Sequence, residues 1–123
     1  MIEGLTGKRI LIVEDEYLIA SDLKRALTGV GAVVVGPAGT LETALSLAEQ
    51  DLDLALLDVN LDGDRSYTVA NRLRYRSVPF AFLTGYDDWA LPPAYRDVPR
   101  FGKPFTLAQL IDELTALTLA DQT

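Results

Sequence analysis

The chain has 123 residues, 49% of them hydrophobic and 24% charged, with a formal net charge of −7, which describes one folded domain with a substantial core and excludes a disordered segment. It has no cysteine and no histidine, so a disulfide framework, thiolate or imidazole metal ligands and histidine-based nucleophilic pairs are excluded. An acidic balance without a long basic run speaks against direct nucleic-acid binding and suits a hard divalent cation, and no window approaches the ~18 apolar residues of a membrane span; the expectation is a cytoplasmic protein with no membrane contact.

Met1 to Gly7 is polar with two glycines and reads as a loose leader. Ile10 to Val13 is a run of β-favouring apolar residues that stops at Glu14-Asp15-Glu16, a buried strand with carboxylates at its carboxyl end. From Tyr17 the spacing becomes helical, with Leu18, Ile19, Leu23, Ala26 and Leu27 on one side, until Gly29-Val30-Gly31 stops it. Ala32 to Val35 predicts a short strand that Gly36-Pro37-Ala38-Gly39 ends, and Thr40 with Glu42 opens the next helix. The glycines of this region do not form a dinucleotide-binding loop.

Leu52 to Leu57 is almost entirely apolar and runs into Asp58. This is a strand buried on both faces, ending where open α/β sheets hold their ligands; alone, Asp58 reads equally well as a turn residue. Asp62 and Asp64 flank a glycine and read as turn residues rather than metal ligands. Tyr67 to Tyr75 has helical spacing, and its neighbours Arg72, Arg74 and Arg76 read as a solvated face. Val78 to Leu83 is a fourth strand, ending in Thr84-Gly85. Pro92-Pro93 forbids a full helix in the next connection, where Trp89 reads as a half-exposed loop residue. Val98 to Gly102 is a brief fifth strand ending in Lys103-Pro104, and a last helix turns Leu107, Leu110, Ile111, Leu114 and Leu117 inward. Strand and helix alternate with short connections, which predicts a parallel sheet with helices on both faces.

Four of the five strands therefore end in polar groups at one edge: Glu14-Asp15, Asp58, Thr84 and Lys103. Hydrophobic periodicity does not require this. Asp15 and Asp58, helped by Glu14, offer hard oxygen ligands for Mg²⁺, which needs only one or two carboxylates. With that charge offset, Asp58 can attack phosphorus, Lys103 can supply positive charge to the phosphoryl oxygens, and Thr84 a hydroxyl and a backbone N–H. Phosphoryl transfer asks for positioning and charge neutralisation, which suits a chain without a histidine base.

Val13-Glu14-Asp15, Leu56-Leu57-Asp58-Val59-Asn60-Leu61, Thr84-Gly85 and Lys103-Pro104-Phe105 together resemble the receiver domains of two-component response regulators, from about Lys8 to Leu119. The resemblance implies one receiver domain over 1–123, with a core of about 8–119. It also implies a flavodoxin-like (βα)5 three-layer fold with strand order 2-1-3-4-5, here with a short or broken fourth helix. Asp58 would accept phosphate from a histidine kinase or phosphotransfer protein, with Glu14, Asp15, Asp58 and the Asn60 backbone carbonyl around Mg²⁺ and Lys103 on the phosphoryl group. The Lys103–Pro104 bond resembles one that is cis in the family.

Receivers usually carry Tyr or Phe three residues before the lysine; that position is Arg100, and the ring of Phe101, one place along, faces the other way. Pro79-Phe80-Ala81-Phe82-Leu83-Thr84-Gly85-Tyr86 is similar to the signature of a subgroup, often stand-alone, in which Tyr follows Thr-Gly. Tyr86 or its loop is then a candidate for the switching role, against the plainer reading of a partly buried loop aromatic. The expectation is a single-domain response regulator, monomeric or weakly dimeric, that is not an enzyme toward other substrates and signals to a protein partner through the 84–105 region. The alternatives are a phosphate sink or shuttle and a non-phosphorylated pseudo-receiver. A small aspartyl-phosphate hydrolase lacks an obvious general acid or base. A chain ending at Thr123 leaves no room for an output domain unless it belongs to a longer protein.

Overall fold

The computed structural model describes residues 4–85 and 91–121. Five strands form one parallel sheet: β1 (Arg9–Val13), β2 (Val33–Ala38), β3 (Leu54–Asp58), β6 (Phe80–Thr84) and β7 (Arg100–Gly102), in the order β2-β1-β3-β6-β7. Counting only these five, the order is 2-1-3-4-5, that of the flavodoxin-like receiver fold. Two short strands, β4 (Asn60–Leu61) and β5 (Asp64–Arg65), make a separate antiparallel hairpin directly after Asp58. The helices are α1 (Tyr17–Gly29), α2 (Leu41–Leu47), α3 (Tyr67–Tyr75) and α4 (Leu107–Asp121). Among the described residues, the β6–β7 crossover holds one 3₁₀ turn, Pro93–Tyr95, which fits the proline pair there. No described helix is long and apolar enough to cross a membrane.

Side chains alternate across the sheet, so each strand feeds two cores. Ile10, Ile12, Leu54, Leu56, Ala81, Leu83 and Phe101 pack on one face with Leu23 and Leu27 of α1 and Leu110 and Leu114 of α4. Leu11, Val13, Ala55, Leu57, Phe80 and Phe82 pack on the other with Ala44 of α2 and Val69, Ala70 and Leu73 of α3. Burial on both faces is why β1, β3 and β6 read as unbroken apolar runs. Thr40 caps α2 by accepting from the Thr43 N–H at 3.2 Å.

Two expectations need correction. Residues 5–7 of the expected leader are tied down: Leu5 is buried in the α1/α4 core, Gly7 N–H donates to the Gly31 carbonyl at 2.8 Å, and Thr6 Oγ1 donates to the Val30 carbonyl at 3.2 Å. A polar seven-residue stretch hides one anchoring leucine too well for periodicity to find it. Second, β2 runs through Gly36-Pro37 to Ala38, shifting register between the Leu11 and Val13 pairings. Gly36 makes this possible with φ +93°, and a Cβ there would lie 2.9 Å from Ala38 N and 3.0 Å from the Ile12 carbonyl. Gly36→Ala should therefore cost about 1–3 kcal/mol, read as a lower urea midpoint with an unchanged slope.

The arginines at the end of α3 lie on a solvated face, as expected, and there they pair with neighbouring segments. Arg72 binds Glu49 through two hydrogen bonds of 2.6 and 2.7 Å. Arg76 donates to the Ala48 and Gln50 carbonyls, and Arg74 reaches the Ala94 carbonyl across the sheet edge. The carbonyls left over at the end of a helix and in a crossover need donors, and sequence spacing could not say which segments would lie nearby.

Candidate functional site

Register brings the polar strand ends together. Val13 pairs with Leu57 and Asp58 with Leu83, so Glu14 stands beside Asp58; Thr84 pairs with Gly102, so Lys103 emerges next to them. The pleat then sorts them. Glu14, Asp58 and Lys103 continue the alternation of Ile12, Leu56 and Phe101 toward the α1/α4 face, whereas Thr84 continues that of Phe80 and Phe82 toward the other.

The Lys103 ammonium is the hub. It lies 2.9 Å from Asp58 Oδ2, 2.8 Å from Glu14 Oε1 and 3.4 Å from Glu16 Oε1. Glu14 and Asp58 are 2% and 4% exposed. The ammonium is the partner of Glu14 Oε1, as an ion pair, and no other donor reaches that buried oxygen among the described residues. Backbone donors serve the other oxygens: Glu16 N–H to Glu14 Oε2 at 3.0 Å and Asn60 N–H to Asp58 Oδ1 at 3.3 Å. Burial pushes the Glu14 carboxyl up to about 7, more than Lys103 and the Glu16 N–H lower it, with the neighbouring Asp58 raising it further. Burial also pulls the Lys103 ammonium down, but its bonds to Glu14 and Asp58 outweigh this and hold it above its ordinary value.

Carboxylate oxygens of Glu14, Glu16 and Asp58 lie within 4.8 Å of one another. Crowded carboxylates, all offering hard oxygen donors, fit a divalent cation such as Mg²⁺. Asp15 is placed differently: it is exposed, and its Oδ2 accepts from the Asp62 N–H at 2.9 Å. That bond pins the β4–β5 hairpin, whose turn residues Asp62 and Gly63 have φ of +48° and +92°, the turn chemistry expected of Asp-Gly. Glu16 is the residue that sequence reasoning missed; the third carboxylate of the Glu14-Asp15-Glu16 run was the available signal.

Thr84 is buried at the end of β6, its hydroxyl 3.5 Å from the Phe101 carbonyl and its own carbonyl accepting from the Lys103 N–H at 2.8 Å. Lys103–Pro104 is cis, as the resemblance implied, and Gly36–Pro37 is cis as well. Arg100 is exposed and Phe101 is buried on the α1/α4 face. Tyr86 and Trp89 lie outside the described residues. Beside Lys103, a groove of about 370 Å³ is lined by Ile19, Asp22, Pro104 and Leu107 among others. Tyr17 and Leu18, at 80% and 76% exposed, lie at the start of α1.

Over residues 10–115 the sequence matches the family described as response regulator receiver domain. The transcriptional regulatory protein PdtaR of Mycobacterium tuberculosis is 36% identical over 117 residues, covering 89% of this chain and 56% of that protein. The solution structure of SdrG from Sphingomonas melonis Fr1 is 40% identical, with a TM-score of 0.76 and 98% of both chains covered. The crystal structure of the response regulator PhyR from Brucella abortus is 27% identical, with a TM-score of 0.82, covering 98% of this chain and 51% of that one. The chain thus spans about half the length of the curated relatives it matches. Sequence match, strand order and the acidic cluster around a lysine agree, and the chain belongs to the family of response regulator receiver domains.

Proposed function

We propose that the chain is a phosphoryl acceptor in two-component signalling, taking the phosphoryl group on Asp58 from a histidine kinase or phosphotransfer protein. The observation that carries this is Lys103 held between two buried carboxylates at adjoining strand ends, 2.8 Å from Glu14 and 2.9 Å from Asp58. An Asp58 oxygen attacks phosphorus, the bond from phosphorus to the donor nitrogen breaks, and the donor imidazole keeps that electron pair. Lys103 then neutralises charge on the phosphoryl oxygens, and the Thr84 hydroxyl donates to one of them.

Glu14, Asp58 and Glu16, together with Asp15 and the Asn60 carbonyl expected from the family, are the groups available to hold Mg²⁺. Bound there, the ion would offset the carboxylate charge that repels an incoming phosphate. Exposed Tyr17 and Leu18 and the groove by Lys103 give a phosphodonor protein an apolar foothold beside Asp58. The chemistry is confined to the chain's own phosphorylation in the cytoplasm, and its output is a surface read by another protein.

Incubation with Mg²⁺ and acetyl phosphate, carbamoyl phosphate or phosphoramidate, followed by a phosphate-affinity gel, tests this. The expected result is a retarded band that hydroxylamine reverses and that Asp58→Ala or EDTA removes. No Asp58-dependent band with any of the three donors would overturn the proposal.

A further inference from the structure

The ring expected three residues before Lys103 is absent, and Phe101 points to the α1/α4 face. On the opposite face, the one shared by Phe80, Phe82 and Thr84, another ring is installed. Tyr95, 4% exposed, belongs to the 3₁₀ turn of the β6–β7 crossover rather than to a strand. Its ring stacks on Tyr67 of α3 at 5.4 Å between centroids and 17° between planes. It stands edge-on to Phe82 at 5.6 Å and 85°. The hydroxyl donates to Asn71 Oδ1 and lies 3.3 Å from the Tyr67 carbonyl. Arg74 covers the ring at 5.2 Å and donates to the neighbouring Ala94 carbonyl.

One side chain thus joins three parts: β6, whose last residue is Thr84, helix α3, and the described part of the crossover. Among the described residues 91–98, the crossover's own backbone bonds are local, from Tyr95 N–H to Pro92, Arg96 N–H to Pro93 and Val98 N–H to Tyr95, and the hold of these residues on α3 is made through side chains. Asn71 is exposed, which leaves the hydroxyl bond at the rim where it can open without unpacking the core.

We propose that Tyr95 is a positioning residue that latches the crossover onto α3 in the resting protein, and that phosphorylation of Asp58 loosens the latch through Thr84 and Phe82. This rests on the phosphoryl-acceptor reading. When the Thr84 hydroxyl leaves the Phe101 carbonyl for a phosphoryl oxygen, the face that Phe82 shares with Tyr95 repacks. The Tyr95–Asn71 bond is given up, and the α3–crossover surface becomes the altered one.

The test is amide hydrogen exchange on the full chain, at rest and with Mg²⁺ and beryllium trifluoride, a stand-in for the phosphoryl group, for wild type, Tyr95→Phe and Asn71→Ala. In wild type, exchange at the Tyr95, Arg96 and Val98 amides should rise about fivefold or more with the stand-in. Both variants should show about that increase at rest, the worth of one lost hydrogen bond. Because coupling is reciprocal, both should also bind beryllium trifluoride several-fold more tightly than wild type. Asn71→Ala leaves every ring in place, so it decides the matter if Tyr95→Phe folds poorly. Unchanged exchange in wild type whose Asp58 is demonstrably phosphorylated overturns the latch alone, as do variants that exchange like wild type at rest. Absence of phosphorylation on the gel overturns the acceptor reading, and the latch with it.

Discussion

Lys103→Met should destabilise the metal-free protein strongly at pH 8, by about 3 kcal/mol or more, because removing one partner of a buried ion pair leaves bare charge behind. The lysine side chain is 16% exposed and its two nearest partners 0% and 6%, so solvent screening does little to relieve the loss. The effect should depend on pH in a defined direction. The Glu14 carboxyl sits at about 7, against an ordinary 4.5. A folded-state value raised in this way gives stability below 4.5 that is lost as pH climbs through 7. In wild type, Lys103 limits that loss by favouring ionised Glu14. Without it, Glu14 must hold its proton to higher pH or ionise unpaired, so the gap between variant and wild type should be wide at pH 8 and narrower at pH 5. Urea unfolding in EDTA at both pH values checks this, and equal losses at the two would contradict the account. The same variant should also lose most phosphorylation by acetyl phosphate, since a methionine offers the phosphoryl oxygens no charge.

Phe82→Ala should cost about 3–5 kcal/mol, the range for emptying a buried aromatic site. Phe82 is 0% exposed and meets Tyr67, Phe80 and Tyr95 edge-on, at 6.1, 5.6 and 5.6 Å between centroids. The residues around it cannot collapse inward easily, because Phe80 and Phe82 belong to a strand paired on both sides, with β3 and β7. A cost below about 1.5 kcal/mol by urea unfolding would mean that the cluster relaxes, and that Tyr95 is held by something other than these rings.

The carboxylates and the lysine could be found in the sequence because hydrophobic runs mark the strands, and whatever polar residue ends a run falls at the sheet's carboxyl edge. Glu14, Asp58, Thr84 and Lys103 all follow from that rule. The rule does not give direction. Asp15 and Glu16 are adjacent in one polar run, and only the folded chain sends Glu16 toward Lys103 and Asp15 toward the Asp62 amide. Tyr95 was invisible for a different reason. It lies in an irregular segment with two prolines, and its partners Tyr67, Asn71 and Phe82 are 28, 24 and 13 positions away in the chain, so no local spacing reports their meeting. Leu5 and the pairings of the α3 arginines escaped in the same way, through contacts between segments.

The alternation that puts Glu14, Asp58 and Lys103 on one side of the sheet and Thr84 on the other makes the chain unequally tolerant of changes in length. Residues added between α2 and β3, or beyond the hairpin, leave every side chain on its own side. One residue inserted between Phe80 and Phe82 would turn Thr84 over, carry Phe82 into the α1/α4 core and strip Tyr67 and Tyr95 of their partner in a single step. Insertions and deletions should therefore accumulate in the connections and be purged from β1, β3 and β6, however conservative the inserted residue.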